Sequence, residues 1–161
     1  MPVTGVEKDL DQRTITIVAE FAAPPERVWE VYADARRLER VWGPPTYPAT
    51  FVDHELTPGS RTRYYMTSPE GERFGGYWDI ESVDAPQRFT FHDGFADGDL
   101  NPVESMPVSH NVFTFEPTTA GTRATYLSTY ATVEGLQQVI DMGVEEGATS
   151  AINQIDALLA E

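Results

Sequence analysis

Six short runs between Tyr47 and Thr132 (YPATFVDHEL, SRTRYYMT, ERFGGYWDIESV, QRFTFHDGF, VSHNVFTFEP and GTRATYLSTYAT) carry the β-branched and aromatic residues of strands. Turns bearing Pro or Gly, such as TPG, SPEG, DAP and PTTAG, separate most of them. Connections that short join neighbours in a sheet, which makes an antiparallel meander the simplest topology. A seventh run, RTITIVAEF at residues 13–21, sets Ile15, Ile17, Ala19 and Phe21 against Thr14, Thr16, Val18 and Glu20. That period of two predicts a strand with one buried face, and it opens the fold. The stretch Asp93–Pro107 is longer and richer in Gly and acid than a hairpin requires, and reads as a mobile loop able to act as a lid.

Helices are expected on either side of the meander. Pro24 and Pro25 suit the first positions of a helix, where the missing N–H costs nothing, and PPERVWEVYAD then places Val28, Val31 and Tyr32 on one side. Asp34 can cap a second short helix, ARRLERVW, whose apolar edge is Leu38, Val41 and Trp42 before Gly43, Pro44 and Pro45 stop it. From Val133 onward, Leu136, Ile140, Val144, Gly147, Ala151, Ile155 and Leu158 or Leu159 recur at steps of three and four, a stripe that predicts one long helix. The expected architecture is α+β: a seven-stranded curved antiparallel sheet, two short helices after strand 1, and a long C-terminal helix over a cavity. Residues 1–11 read as an N-terminal tail and 12–161 as a single domain, since no repeat or linker divides them.

Charge and composition narrow the function classes. The chain has 161 residues with 11 Lys and Arg against 26 Asp and Glu, a formal charge of −15, so phosphate backbones and anionic lipid surfaces are repelled. No nucleic acid and no membrane partner is expected. With no Cys, disulfides and thiolate chemistry are excluded. No G-x-S-x-G elbow, G-x-G-x-x-G turn or phosphate-binding G-x-x-x-x-G-K occurs, which disfavours hydrolase and nucleotide-binding readings. The N-terminus lacks the basic and apolar regions of a signal peptide, so a cytoplasmic location is expected.

PPERVWEVYAD, RVWGPP, the turn TPGS before RTRYYM, SPEGERFGGYWDI, VDAPQRFTF, FTFEPTTAGTR and the closing MGVEEG…IDALLA together resemble the START-like (SRPBCC) superfamily. The resemblance covers about residues 12–160 and implies the birch-pollen-allergen helix-grip fold. More narrowly, the chain resembles the branch related to the C-terminal domain of the heat-shock-protein-90 ATPase activator. None of these motifs is catalytic. The resemblance implies binding of apolar molecules in the cavity under the long helix, and some relatives cyclise or dehydrate polyketides. Where many relatives carry Trp after the glycine of the last helix, this chain reads Gly147-Ala148.

The candidate binding residues are aromatic or flexible side chains, several of them on alternating positions of neighbouring strands: Trp42, Phe51, Tyr64, Met66, Trp78, Phe91, Phe113, Tyr126 and Tyr130. Tyr hydroxyls among apolar walls suit a mostly apolar molecule with one or two polar groups. Ile140, Gly143 and Gly147 join the set from the terminal helix, the glycines either leaving room for a ligand or serving close packing or a kink. His110 joins it if its face is the buried one; Asn111, Phe113 and Phe115 form an equally good inward set that would turn His110 outward. His54 and His92 read as surface residues with no metal-site spacing. Asp93 to Glu104 is a near miss to a calcium loop, with Phe95 where an oxygen ligand is wanted. The expected function is non-covalent binding of a small apolar or aromatic molecule, without metal or cofactor, by a monomer or homodimer. The alternatives are a polyketide cyclase, aromatase or dehydratase on the same cavity, and a chaperone-activator-like interaction domain.

Overall fold

In the computed structural model, which describes residues 2–161, the chain begins with β1 (Val3–Asp9) and β2 (Thr14–Phe21), followed by α1 (Pro25–Ala33) and α2 (Ala35–Val41). The meander is β3 (Ala49–Asp53), β4 (Arg61–Thr67), β5 (Arg73–Asp84), β6 (Arg88–Ala96), β7 (Ser109–Pro117) and β8 (Thr122–Tyr130). Three helical segments close the chain: α3 (Val133–Asp141), α4 (Val144–Ile152) and α5 (Ile155–Leu159). One sheet runs β1-β2-β8-β7-β6-β5-β4-β3, and its paired neighbours are antiparallel. The two short helices carry the chain from β2 to the far edge at β3, and the meander brings it back until β8 pairs with β2.

The sheet has eight strands rather than seven. Residues expected to form a tail contribute β1, which pairs Val6 with Ile17 and Lys8 with Ile15. Residues 4–8 are exposed, so β1 has no buried face and no apolar alternation to announce it. Backbone pairing holds it, helped by the Glu20 amide donating to the Pro2 carbonyl at 2.9 Å and the Val3 amide donating to Asn153 Oδ1 at 3.1 Å.

The terminal helix is interrupted. At Gly143 the backbone is left-handed (φ +82°), and its amide donates to the Ile140 carbonyl at 3.0 Å, ending α3 before α4 starts. Such a conformation costs an L-residue about 1–2 kcal/mol and glycine nothing comparable. The apolar stripe stays continuous because each segment turns its face inward: Leu136 and Val139 from α3, Ala151 and Ile152 from α4, Ile155 and Leu158 from α5 are buried.

The acidic loop is shorter than Asp93–Pro107, because β6 continues through Ala96, leaving residues 97–108 as the connection. Gly94 permits the extension: the Tyr77 ring lies where its Cβ would be. Asp97 Oδ1 accepts the amides of Asp99 and Asn101, so it serves the loop's own backbone, while Asp93 lies on the strand.

Helix α1 packs on the concave face. Its Trp29 meets Phe89 and Phe115 edge-on at centroid distances of 5.6 and 6.0 Å, and Tyr32 meets Phe113 at 5.6 Å. Among the described residues no helix is long and apolar enough to cross a membrane.

Candidate functional site

The strand register defines rows of inward-facing side chains that change character along the sheet. One row, from β6 to β2, is Phe89, Phe113, Tyr126 and Ile17; the next is Phe91, Asn111, Ser128 and Ile15; the next is Asp93, Ser109 and Tyr130. Over the polar rows lies α4, which presents Val144, Gly147, Ala148 and Ala151. These side chains are too short to fill the space, and a cavity of about 280 Å³ remains between sheet and helix, closed on one side by Val41, Trp42 and Pro44 at the end of α2.

Polar groups gather on its sheet wall. Ser128 Oγ donates to Asn111 Oδ1 at 2.6 Å, and Asn111 Nδ2 donates to Ser109 Oγ at 2.9 Å, so β7 and β8 share one network. The Tyr64 hydroxyl donates to Asp93 Oδ1 at 3.3 Å across β5, where Gly76 leaves room for the ring. Desolvation pushes the Asp93 carboxyl up to about 7, against a smaller opposing effect of the Tyr64 hydrogen bond. Burial also raises Tyr64 well above the usual phenol value, reinforced by the negative charge of Asp93, and lifts Tyr130 to about 12. The Tyr32 hydroxyl donates to that of Tyr126 at 2.7 Å, leaving the Tyr126 proton available to the cavity. Trp42 lines the cavity, and its buried indole N–H has no hydrogen-bond partner among the described residues.

Of the residues expected to bind a ligand, Trp42, Tyr64, Met66, Phe113, Tyr126, Tyr130 and Gly147 line this cavity. Phe51, Trp78 and Phe91 do not; they are at most 1% exposed and form the packed layer behind it, with Trp78 and Phe91 at a centroid distance of 4.4 Å. Ile140 packs against the core from α3, and Gly143 is the hinge between α3 and α4. Gly147 resolves in favour of space: a Cβ there would meet only Pro44 Cγ, at 4.0 Å. Asp93, Ser109 and Ser128 are cavity residues that periodicity missed, because polar residues on the inward face break the apolar alternation that marks it.

His110 is on the opposite, convex face, because Asn111 and Phe113 take the inward positions; its Nε2 lies 3.0 Å from Glu81 Oε1. His54 is not a surface residue. Its ring is packed between Phe51 and Trp78, with Nε2–H donating to the Tyr32 carbonyl at 2.6 Å and Nδ1 accepting from Thr62 Oγ1 at 2.8 Å, and burial lowers its pKa.

A curved antiparallel sheet gripping a C-terminal helical segment, with a cavity between them, is the helix-grip architecture of the START-like superfamily. The family model described as Activator of Hsp90 ATPase homolog 1-like protein matches residues 22–160, and the chain belongs to that family. Its fold is similar to the crystal structure of protein Ms6760 from Mycobacterium smegmatis (63% identity, TM-score 0.92, covering 98% of this chain and 97% of that one). It is also similar to a solution structure of a protein from Arthrobacter aurescens (46%, TM-score 0.94, covering 98% and 92%). An AHSA1 protein from Silicibacter pomeroyi is 26% identical, with a TM-score of 0.74 and coverage of 91% and 97%. Comparison with curated proteins finds no match.

Proposed function

We propose that the chain binds a small, mostly apolar molecule carrying one polar group, non-covalently, in the cavity between the sheet and α4. The observation that supports this best is the cavity itself: about 280 Å³, apolar over most of its wall, with Asp93, Tyr64 and Tyr130 converging at one end. Its size is at the lower edge of the range for small-molecule sites, about 300–1,000 Å³, which favours a compact ring system over a long acyl chain. Trp42, Phe113 and Val144 would contact the apolar body, and Asp93 with the Tyr64 hydroxyl would meet the polar group.

Native mass spectrometry of protein purified from its own host should show a retained small molecule. A thermal-shift screen of flavonoids, fatty acids and polyketide-like aromatics should give hits, since a ligand at a hundredfold excess over Kd stabilises the folded state by about 2.7 kcal/mol. Gly147→Leu should keep the fold and lose those shifts. No shift with any apolar class, together with a crystal structure in which side chains fill the cavity, would overturn the reading.

A second reading, catalysis of the cyclase or dehydratase type, is favoured by one observation: the Asp93 carboxyl lies on the cavity wall within hydrogen-bond reach of the Tyr64 hydroxyl, and desolvation pushes it up to about 7, which suits general acid–base work at neutral pH. Asp93→Asn distinguishes the two, since it would retain binding of a turned-over compound while abolishing its conversion.

A further inference from the structure

We propose that the convex face of the sheet carries a metal site in which Glu81, His92 and His110 bind one Zn²⁺ ion. The three residues come from three strands, and one ligating atom from each lies within 4.8 Å of the others. Their positions in the sequence give no hint of this; the strand register creates it. His92 and His110 are direct cross-strand partners on β6 and β7, with ring centroids 5.0 Å apart. Glu81 is the extra residue of a β-bulge between Ile80 and Ser82, and that irregularity turns its carboxylate toward the two rings.

The geometry is close to that of a bound ion. Ligand atoms at about 2.0–2.2 Å from a tetrahedral zinc lie about 3.2–3.6 Å from one another. His110 Nε2 and Glu81 Oε1 are already 3.0 Å apart, and rotation of the exposed His92 side chain closes the rest. An outer layer of hydrogen bonds orients the carboxylate: Thr90 Oγ1 donates to Glu81 Oε1 at 2.9 Å and is itself held by Ser82 Oγ at 2.6 Å. Two imidazoles and one carboxylate suit zinc rather than calcium or magnesium, which take oxygen ligands, and a fourth position stays open to water. Asp79, the partner of His92 on the neighbouring strand β5, is committed to Arg61 through two hydrogen bonds of 2.7 and 3.0 Å, so it is not counted as a ligand.

The test is calorimetric titration of tag-free, chelator-stripped protein with zinc chloride, paired with visible absorption of the Co²⁺ form. One equivalent with micromolar affinity is expected, with Co²⁺ bands of low coordination number. His92→Ala and His110→Ala should each weaken binding by more than about tenfold, and Thr90→Val by about 10–100-fold through the carboxylate's orientation. Asp97→Asn with Asp99→Asn should leave the affinity unchanged. Zinc should raise the melting temperature of the parent and not of the His92→Ala/His110→Ala double variant. His92→Gln and His110→Gln repeat the comparison if either alanine variant loses its metal-free fold. Binding no tighter than millimolar, binding that survives the double variant, or binding lost with the Asp97 and Asp99 substitutions would overturn the site. None of these results touches the cavity, which is on the other face of the sheet.

Discussion

The concave face of the sheet has two ends built on the same strands, one closed and one open. Under α1, the inward residues Phe89, Phe113 and Phe115 meet Trp29 and Tyr32, and large rings pack closely, most of them edge to face. Under α4, one or two rungs further along, β6, β7 and β8 offer Asp93, Asn111 and Ser128, and the helix answers with Gly147, Ala148 and Ala151. Both partners are small or polar there, so the layers cannot touch and a cavity follows. The lesson is that the pocket does not come from a special loop or a gap in the sheet. It comes from the size and polarity of the residues at one end of an otherwise continuous core.

Truncation should expose the contrast most strongly. Phe89 is fully buried, and Phe89→Ala should cost about 3–5 kcal/mol in urea denaturation, because the surrounding rings cannot collapse onto the void. Met66→Ala, on the half-buried cavity wall, should cost less than about 2 kcal/mol, since little packing is lost there. Equal losses at the two positions would erase the distinction between a closed and an open end.

The pH dependence of stability should single out the open end. With its folded pKa raised to about 7, Asp93 holds its proton in the folded state across a window where the unfolded chain has released it. Its contribution is therefore fully present below about pH 4 and is lost as pH rises through about 7. Asp93→Asn keeps an acceptor for Tyr64 and removes the buried charge. It should flatten the loss between pH 4 and 7 and raise stability at pH 8 by about 1–3 kcal/mol, an estimate discounted because one side of Asp93 faces the cavity. Parallel pH-dependent melts of parent and variant check this, and identical slopes would place Asp93 in a wetter setting than its neighbours indicate.

Two glycines four residues apart sharpen the comparison at smaller scale. Gly143→Ala forces an L-residue to φ +82° and should destabilise by about 1–2 kcal/mol. Gly147→Ala adds a methyl group to open space within a helix and should stabilise by about 0.5–1 kcal/mol. Denaturant melts of the pair read the opposite signs directly. A destabilised Gly147→Ala would mean that α4 sits on the sheet more tightly than the cavity allows.

Most elements were legible because they obey the periodicities that burial imposes. The alternation in residues 13–21, the Pro24-Pro25 helix start, the Asp34 cap and the turn residues of the meander each marked one. Asp34 does accept the amides of Arg36 and Arg37, as its position implied. Elements that bury nothing left no such trace: β1 is held by backbone pairing, which is nearly independent of side-chain identity. The break at Gly143 was hidden for the opposite reason, since all three segments keep the same inward face and the stripe runs on. Among the site residues, the aromatic members of the cavity wall could be nominated but not sorted. Tyr64 and Trp78 are both inward-facing aromatics, and only packing makes one a wall and the other the layer behind it.

By itself, then, the chain's order of apolar and polar residues determined the α+β architecture, the meander and the presence of a helical cover, because those follow from local period and turn chemistry. Only the tertiary structure decided what lies next to what. Cross-strand register set Asp93 beside Tyr64, closed the Ser109–Asn111–Ser128 network and gathered Glu81, His92 and His110 on the far face. Register is a property of paired strands, and residues distant along the chain acquire a common chemistry only once the sheet has formed.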